Sequence, residues 1–486
     1  MTEGGAGQDL LVRRFVQIDL RLIWVLAVVT CLPFLLVSVP PLVDVPGHIA
    51  IASVSRASPD SVIRLFYDGD WRVNLNAGSE VLPHLSPVDP VLTGWLLSVG
   101  ATASMVVGLG MITRELNPKG AFGFFAGIVF LFGYPWAWGF LNFLLATGGS
   151  LICYALSLRL SGSRRVLLLL VAQPLLLACH ALGGVILPAL VFVSELHRGP
   201  RTLVQRTWPL AASLLTIAAW LGLNSRTGET ALVWGWSDKL EYFFAIMRDR
   251  YALLDIATVE LAVLILLGGW LIGARWNSRQ AAPPLMIFAA YILAPAQING
   301  SEAVDIRFLP IALALALATQ DWSAVRRNWQ LLALSCGGAL LGSRILSIGI
   351  GFVEEQGRFE AMDRLMERIE PGAQVMVLEA RDCNGWRLNK ATTYPVMLIS
   401  KRNAWVNTPF QVPTIHMLSS PIPIVRPFYW KDDCINPAQP PLANRLADQH
   451  MGTADYLWLI DTSPPGLIEG FTPIASAGGS RLYRAD

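Results

Sequence analysis

Asp44 and His48 are the residues of this chain whose types and spacing best fit acid–base chemistry. They lie four positions apart in the run PPLVDVPGH that begins at Pro40, so a helix that resumes after Pro46 would place both side chains on one face. A carboxylate beside an imidazole can remove a proton from a hydroxyl nucleophile. The alternative is structural, with Asp44 as the cap of a surface helix and His48 as an ordinary interfacial residue.

Several cationic and imidazole side chains are candidates for binding an anionic substrate. Arg307 follows Glu302 and Asp305 directly before an apolar stretch, and a guanidinium binds phosphate through paired N–H groups. A simple Asp305/Arg307 ion pair is the alternative. For the others, the alternatives are snorkelling arginines and satisfied interfacial histidines. These second candidates are Arg248, Arg250, His84 and His180.

The first apolar stretch determines where Asp44 lies. Residues 22–39 carry no charge and are long enough to cross most of a hydrocarbon core. Pro40 and Pro41 then deny the next turn its backbone donors. Asp44 is therefore predicted to stand at the membrane surface, where the first span ends.

The composition predicts a mainly α, polytopic membrane protein. Hydrophobic residues make up 53% and charged residues 15% of the 486 positions, and the mean hydropathy is +0.49, whereas soluble chains are about a quarter charged. We expect about 11 transmembrane helices. The apolar stretches are 22–42, 91–112, 121–138, 141–158, 166–180, 181–196, 208–224, 257–274, 282–297, 306–319 and 329–350.

Positive charges predict the orientation, because they accumulate on cytoplasmic connections. Alternate connections carry them, which places the N-terminus in the cytoplasm and the C-terminal region outside. No basic run exceeds these groups and the net charge is +2, so nothing points to a nucleic-acid partner. The groups are Arg13, Arg14 and Arg21; Arg114 and Lys119; Arg159, Arg164 and Arg165; Arg198, Arg201 and Arg206; Arg275 and Arg279; Arg326 and Arg327.

Two outer loops are long enough to hold structure of their own. In loop 43–90, residues 48–57 and 60–67 are predicted to form short helices on the membrane surface. Loop 225–256 interleaves aromatic and charged residues, which is typical of an interfacial helix pair.

The chain after residue 350 is predicted to form an α/β domain. A break at Gly349–Gly351 ends the membrane part, so the predicted domains are 1–350 and 351–486. The pattern predicts a helix over 354–369, buried strands at 374–378 and 456–460, and an edge strand at 480–484.

Two further features concern charge and redox state. Arg344 lies inside the last apolar stretch and is interpreted as a snorkelling side chain. Cys383 and Cys434 lie in the polar C-terminal region and could form a disulfide if that region faces an oxidising compartment.

These features together resemble the polytopic glycosyltransferases of the GT-C superfamily. That architecture has an uncleaved first span, an acid at its outer end, an outer loop of surface helices, many spans and an outer α/β tail. The run from Asp44 to His48 is similar to the acid-x-Pro-x-His motif of bacterial members of uncertain substrate, and Asp305-Ile306-Arg307 resembles the start of a late span in that family.

The resemblance implies an inverting glycosyltransferase of the bacterial inner membrane with a periplasmic C-terminal domain. It would move a sugar from a polyprenyl-phosphate donor to a glycan, lipid or protein acceptor in cell-envelope assembly. Asp44 would be the base, and the substrates would be bound by His48, Arg307, Arg248, Arg250, His84 and His180.

Three points stay open at the level of sequence. The paired acids of the metal-dependent members are missing, so no cofactor is assigned and a divalent metal remains an alternative. A carrier or flippase of lipid-linked glycans would share a phosphate clamp. A polysaccharide polymerase or ligase is the third possibility.

Overall fold

The computed structural model is mainly helical (66%), with a sheet region near the C-terminus. It describes residues 18–68, 75–85, 87–223, 232–298, 301–379, 385–407, 418–420, 422, 454–461 and 468–486, with the backbone alone for 82–85 and 220–223. Cys383 and Cys434 lie outside the described residues. The chain divides into two compact units: unit 1 is Met1–Leu35, Val73–Gly78 and Leu97–Ile350, and unit 2 is Leu36–Arg72, Ser79–Leu96 and Gly351–Asp486.

The helices account for most of the described residues. They are α1 Leu20–Cys31, α2 Val45–Arg56, α3 Gly78–Leu85, α4 Pro90–Leu116, α5 Ala121–Phe130, α6 Tyr134–Trp138, α7 Leu141–Arg159, α8 Gly162–Cys179, α9 Ala181–Gly184, α10 Ile186–Glu195, α11 Pro200–Thr207, α12 Ser213–Leu223, α13 Asp238–Ala245, α14 Ala252–Leu271, α15 Ser278–Leu293, α16 Leu309–Thr319, α17 Arg327–Met366 and α18 Met397–Arg402. Short 3₁₀ turns occupy Leu32–Leu36, Val62–Leu65, Leu196–Arg198, Trp208–Ala212 and Tyr394–Val396.

The strands are fewer and shorter. They are β1 Leu232–Val233, β2 Gln297–Ile298, β3 Gln374–Glu379, β4 Trp405–Val406, β5 Tyr456–Ile460, β6 Phe471–Ala477 and β7 Ser480–Ala485.

The apolar helices identify a membrane protein. Among the described residues, six helical segments are long and apolar enough to cross a bilayer: Pro90–Leu116, Leu141–Arg159, Gly162–Cys179, Ala181–Arg198, Ala252–Leu271 and Arg327–Met366. Three other apolar helices are shorter. Leu20–Leu36 reaches the lower limit of about 17 residues for a span, whereas Ala121–Phe130 and Leu309–Thr319 fall below it.

The shortest apolar helices of unit 1 pack together at very close range. α5 lies against α16, and a Cβ built on Gly123 would stand 1.8 Å from the carbonyl oxygen of Leu317. One turn later, a Cβ on Gly127 would stand 2.8 Å from the carbonyl oxygen of Ala314. Small residues four apart let two helix backbones approach in this way. The two glycines therefore set the distance between α5 and α16.

The interpretation of Arg344 as a snorkelling side chain is wrong. Its side chain is 1% exposed and pairs with Asp255, which is equally buried. A second Nη group donates to the carbonyl oxygens of Phe132 and Met247, at 3.0 and 3.1 Å. A charge in a low-dielectric interior must be paired, and these partners satisfy it without recourse to lipid headgroups.

Unit 2 contains a five-stranded mixed sheet in the order β4-β3-β5-β7-β6. β3 runs parallel to β4 and to β5, whereas β7 is antiparallel to both β5 and β6. The predicted strands at 374–378 and 456–460 are present as β3 and β5. The prediction of an edge strand at 480–484 is wrong, because β7 lies between β5 and β6 and the exposed β6 forms the edge.

Two other expectations for unit 2 need correction. The segment 48–57, expected on the membrane surface, is part of α2, and ten of the twelve residues of α2 are buried. The burial arises because α18 and the Tyr394–Val396 turn pack against this helix. The break expected at Gly349–Gly351 is absent, because α17, which is 40 residues long, runs through these glycines without interruption. A glycine costs a helix only about 1 kcal/mol, so two of them do not end a long helix that is otherwise well formed.

The close approach at Gly123 predicts a local intolerance to any added side-chain atom. Gly123→Ala should lower the stability of the purified protein by about 1–3 kcal/mol, because its methyl group would overlap a backbone carbonyl. Gly338→Ala is the matched control, since nothing lies within 4 Å of the Cβ position there. Thermal unfolding in detergent measures both variants, and equal midpoints would contradict the packing argument.

Candidate functional site

In unit 2, Asp44 occupies the position immediately before α2 and is partly exposed. Its side chain makes no capping hydrogen bond to the helix, so the capping alternative does not describe it. The helix begins at Val45 with Pro46 in its first turn, and the N–H of His48 donates to the carbonyl oxygen of Asp44 at 3.1 Å. The backbone therefore places His48 one turn above Asp44, as the spacing predicts.

A buried hydroxyl group from α3 contacts His48. The ring of His48 is 5% exposed, and its Nδ1 lies 2.9 Å from the hydroxyl of Ser79. Ser79 and Glu80 are fully buried in the first turn of α3. A hydroxyl on Nδ1 fixes the orientation of an imidazole. This arrangement gives unit 2 a carboxylate at a partly exposed position, with an oriented imidazole one turn away.

The C-terminal part of unit 2 holds the start of α2 in place. The hydroxyl of Thr393 donates to the carbonyl oxygen of Val43, directly before Asp44. On another side, a Cβ on Gly94 would stand 2.7 Å from Ile49 Cγ1, so α4 also packs closely on α2. The backbone at Asp44 is therefore held by two distant parts of the sequence.

In unit 1, Arg307 is gripped by the loop that precedes it. Nε donates to the carbonyl oxygen of Ala303 and Nη2 to that of Glu302, both at 2.9 Å. Ala303 has φ +56°, a left-handed conformation that costs a non-glycine residue about 1–3 kcal/mol when the surrounding structure enforces it. The guanidinium carbon lies 4.1 Å from the ring centroid of Phe140. These contacts fix the plane of a cation that is 6% exposed.

His180 lies against Arg307, and the contact suits the binding of an anion. The N–H of Gly183 donates to His180 Nδ1 at 3.2 Å, so a neutral ring carries its proton on Nε2. That Nε2 lies 3.4 Å from Arg307 Nη1, and two donors then face the same space. Two neighbouring nitrogen donors of this kind suit an acceptor with negative charge. We call Arg307, His180 and Phe140 the Arg307 site.

The other residues predicted to bind substrate are Arg248, Arg250 and His84. Arg248 and Arg307 both act electrostatically on the phenol of Tyr134, so Arg248 lies in the neighbourhood of the Arg307 site. Arg250 stacks on Tyr251, with its guanidinium carbon 4.8 Å from the ring centroid. The side chain of His84 lies outside the described residues. Asp44 and His48 belong to unit 2, whereas Arg248, Arg250, His180 and Arg307 belong to unit 1.

The loop that carries Arg307 is anchored by a buried ion pair, which sequence reasoning missed. Lys239 Nζ lies 2.5 Å from Asp305 Oδ2, and the two side chains are 7% and 0% exposed. Lys239 also donates to the carbonyl oxygens of Tyr291 and Ala294, at 2.9 and 3.2 Å. Asp305 therefore pairs with Lys239, and the expected alternative of an Asp305/Arg307 pair is not what the loop uses. The aromatic character of loop 225–256 was the only sequence signal near Lys239.

Comparison with family models, with curated proteins and with solved structures gives no match for this chain. The functional argument therefore rests on the geometry within each unit and on the sequence features described above.

Among the described residues, no group of three or more His, Cys, Asp or Glu side chains is arranged to hold a metal ion.

A polar group that sequence reasoning missed lies where the parallel strands of unit 2 end. Glu379 Oε1 accepts from Asn389 at 2.5 Å and from Thr392 at 3.0 Å, and Arg358 bridges Asn389 to Asp461. Ligands of α/β sheets commonly bind outside the carboxyl ends of parallel strands. Glu379 is the last residue of β3 and Asp461 directly follows β5, so both could have been found as acids at the carboxyl ends of predicted strands.

The buried pair predicts a large and asymmetric mutational effect. Lys239→Met should destabilise the protein by roughly 3–5 kcal/mol, because it leaves the Asp305 carboxylate buried without its cation. The double variant Lys239→Met/Asp305→Leu should recover most of that loss. Chemical denaturation in detergent gives both values.

Arg484→Met serves as the comparison, since the Arg484–Glu370 pair is 57% and 66% exposed. An exposed pair should cost at most about 1 kcal/mol. If Lys239→Met costs no more than that, the anchoring role assigned to the ion pair is wrong.

Proposed function

We propose that this protein is an inverting glycosyltransferase that moves a sugar from a polyprenyl-phosphate donor to an acceptor at the membrane surface. The observation that carries the proposal is the convergence of Arg307 Nη1 and His180 Nε2, 3.4 Å apart, with Nδ1 already committed as an acceptor. Two oriented donors on a membrane protein suit the phosphate of a lipid carrier. The GT-C resemblance supplies the reaction.

Asp44 is the proposed base. It would take the proton of the acceptor hydroxyl while that oxygen forms a bond to the anomeric carbon, and the bond from this carbon to the phosphate oxygen would break with inversion. The polyprenyl phosphate then leaves as an anion, and Arg307 with His180 would stabilise its charge. The partly exposed position of Asp44, one helical turn from His48, supports the assignment.

The residues around these two groups have supporting roles in the proposal. His48, oriented by Ser79, would contact the acceptor, and Arg248 is a second candidate for the phosphate. Arg250, which stacks on Tyr251, and His84 remain proposed substrate contacts. The bacterial inner membrane, a cytoplasmic N-terminus and a periplasmic C-terminal domain are the proposed setting, on the ground of the alternating positive charges.

Asp44→Asn should lower the transfer rate by at least about 100-fold, because an amide cannot accept the hydroxyl proton. The assay follows the release of polyprenyl phosphate from a panel of labelled polyprenyl-phosphate sugars, with purified protein in nanodiscs and a membrane extract as acceptor. Asp60→Asn, an exposed acid of the same segment, should be fully active. Full activity of Asp44→Asn would remove the base. Movement of labelled lipid between leaflets without cleavage would favour the carrier.

Arg307→Gln should weaken donor binding by about 10- to 100-fold, since a charge-assisted hydrogen bond contributes roughly 1.5–3 kcal/mol. Arg307→Lys keeps the charge but loses the planar fork, so its binding should fall between the two. The measurement is the affinity for polyprenyl phosphate itself, which does not require the sugar to be known. Arg326→Gln, an exposed arginine, controls for loss of charge. Wild-type affinity in Arg307→Gln would contradict the phosphate assignment.

A further inference from the structure

A second group of arginines in unit 1 converges on one buried carboxylate. Glu195 is 4% exposed and accepts from Arg165 Nη2 at 3.1 Å. Arg206 Nε lies 2.7 Å from Glu195 Oε1, and Arg198 Nε lies 2.7 Å from Glu195 Oε2. Three guanidinium groups against one carboxylate leave a local charge of +2. We call these four residues the arginine cluster.

Several helix ends meet at the arginine cluster. Arg165 lies in the first turn of α8 and donates to the carbonyl oxygen of Ser157, near the end of α7, and to that of Arg206. Glu195 is the last residue of α10. The Arg307 site lies at the other end of the same helices, since Phe140 precedes α7 and His180 follows α8. The 19 residues of α7 extend about 28 Å, close to the thickness of a hydrocarbon core.

The arginine cluster holds more donors than its own structure uses. Arg165 is spent on Glu195 and on two carbonyl oxygens. Arg198 and Arg206 are different, because each contacts Glu195 through its Nε atom. Within the described residues, the Nη groups of these two arginines make no hydrogen bond, and their side chains are 43% and 35% exposed. The accumulation of positive charge on cytoplasmic connections explains why arginines lie here. It does not explain why two half-exposed guanidinium groups pair with the same buried carboxylate.

The surroundings of the arginine cluster are apolar and exposed, as a lipid-facing surface must be. Trp208 and Val204 are 52% and 64% exposed next to Arg206, and tryptophan is typical of the interface between headgroups and acyl chains. An anion bound by Arg198 and Arg206 would therefore have room for acyl chains beside it.

We propose that the arginine cluster binds the phosphate of an anionic phospholipid headgroup at the bilayer boundary. The Nη groups of Arg198 and Arg206 supply the donors, the net charge of +2 supplies the attraction, and Glu195 pairs with both guanidinium groups. The exposed side chains of Trp208 and Val204 next to Arg206 favour a lipid phosphate over a free one. Basic pockets between helix ends are suited to anionic headgroups.

The test replaces the guanidinium groups of Arg198 and Arg206 but keeps their positive charge. In Arg198→Lys/Arg206→Lys, each lysine keeps a cation beside Glu195 but lacks the outward Nη groups. Native mass spectrometry of the full chain from mixed vesicles of phosphatidylglycerol and phosphatidylcholine counts the retained lipids. The wild type should retain phosphatidylglycerol preferentially, and the double variant should lose on the order of tenfold of that preference.

The matched control is Arg164→Lys/Arg201→Lys, which changes two exposed arginines of the same region and should keep the wild-type preference. Size-exclusion profiles confirm that each variant is folded. An equal loss in both double variants, or no preference in the wild type, would overturn the proposal. Inorganic phosphate is tested as a competitor, and full displacement of phosphatidylglycerol by millimolar phosphate would show a free-anion site instead. None of these results depends on transferase activity.

Discussion

The interior of unit 1 is organised by the requirement that a charge withdrawn from water must meet an opposite charge. Within the described residues, Lys239–Asp305, Arg344–Asp255 and Arg165–Glu195 are pairs in which both partners are almost fully buried. In each pair the cation also donates to carbonyl oxygens of other segments. Such pairs add little net stability compared with apolar side chains, but breaking one is costly. They therefore act mainly by fixing which segments meet.

The Arg307 site depends on this constraint. The loop before Arg307 is tied at Asp305 to Lys239, and Lys239 in turn reaches the end of α15 through two carbonyl oxygens. With the loop anchored, the carbonyl oxygens of Glu302 and Ala303 can hold the guanidinium at a fixed angle to Phe140. The strained backbone of Ala303 is tolerated because these surrounding bonds enforce it. A flexible arginine would lose much of its binding energy to ordering.

The sequence predicted features that rest on local pattern and missed those that rest on long-range pairing. Hydropathy located the apolar helices, and strand propensity located β3 and β5, because both signals lie within a few neighbouring residues. The partner of Arg344 lies 89 residues away, and no local pattern marks it. The interior position of β7 also depends on pairing with β6 and β5. The predicted spacing of Asp44 and His48 holds because a single helical turn fixes it. The contact of Ser79 with His48 and the contact of His180 with Arg307, 127 residues apart, join distant parts of the sequence and could not be predicted from a local pattern.

The glycine contact between α5 and α16 has a consequence for how the chain is made. α5 has ten residues and extends only about 15 Å, so it cannot stand alone as a span. Its partner α16 begins at Leu309 and leaves the ribosome long after α5 has been synthesised. At a typical ~5–20 residues per second, that delay is on the order of ten to forty seconds. During this interval Gly123 and Gly127 of α5 have not yet met α16, the helix they pack against. We therefore expect correct insertion of this protein to depend on the supply of a membrane insertase.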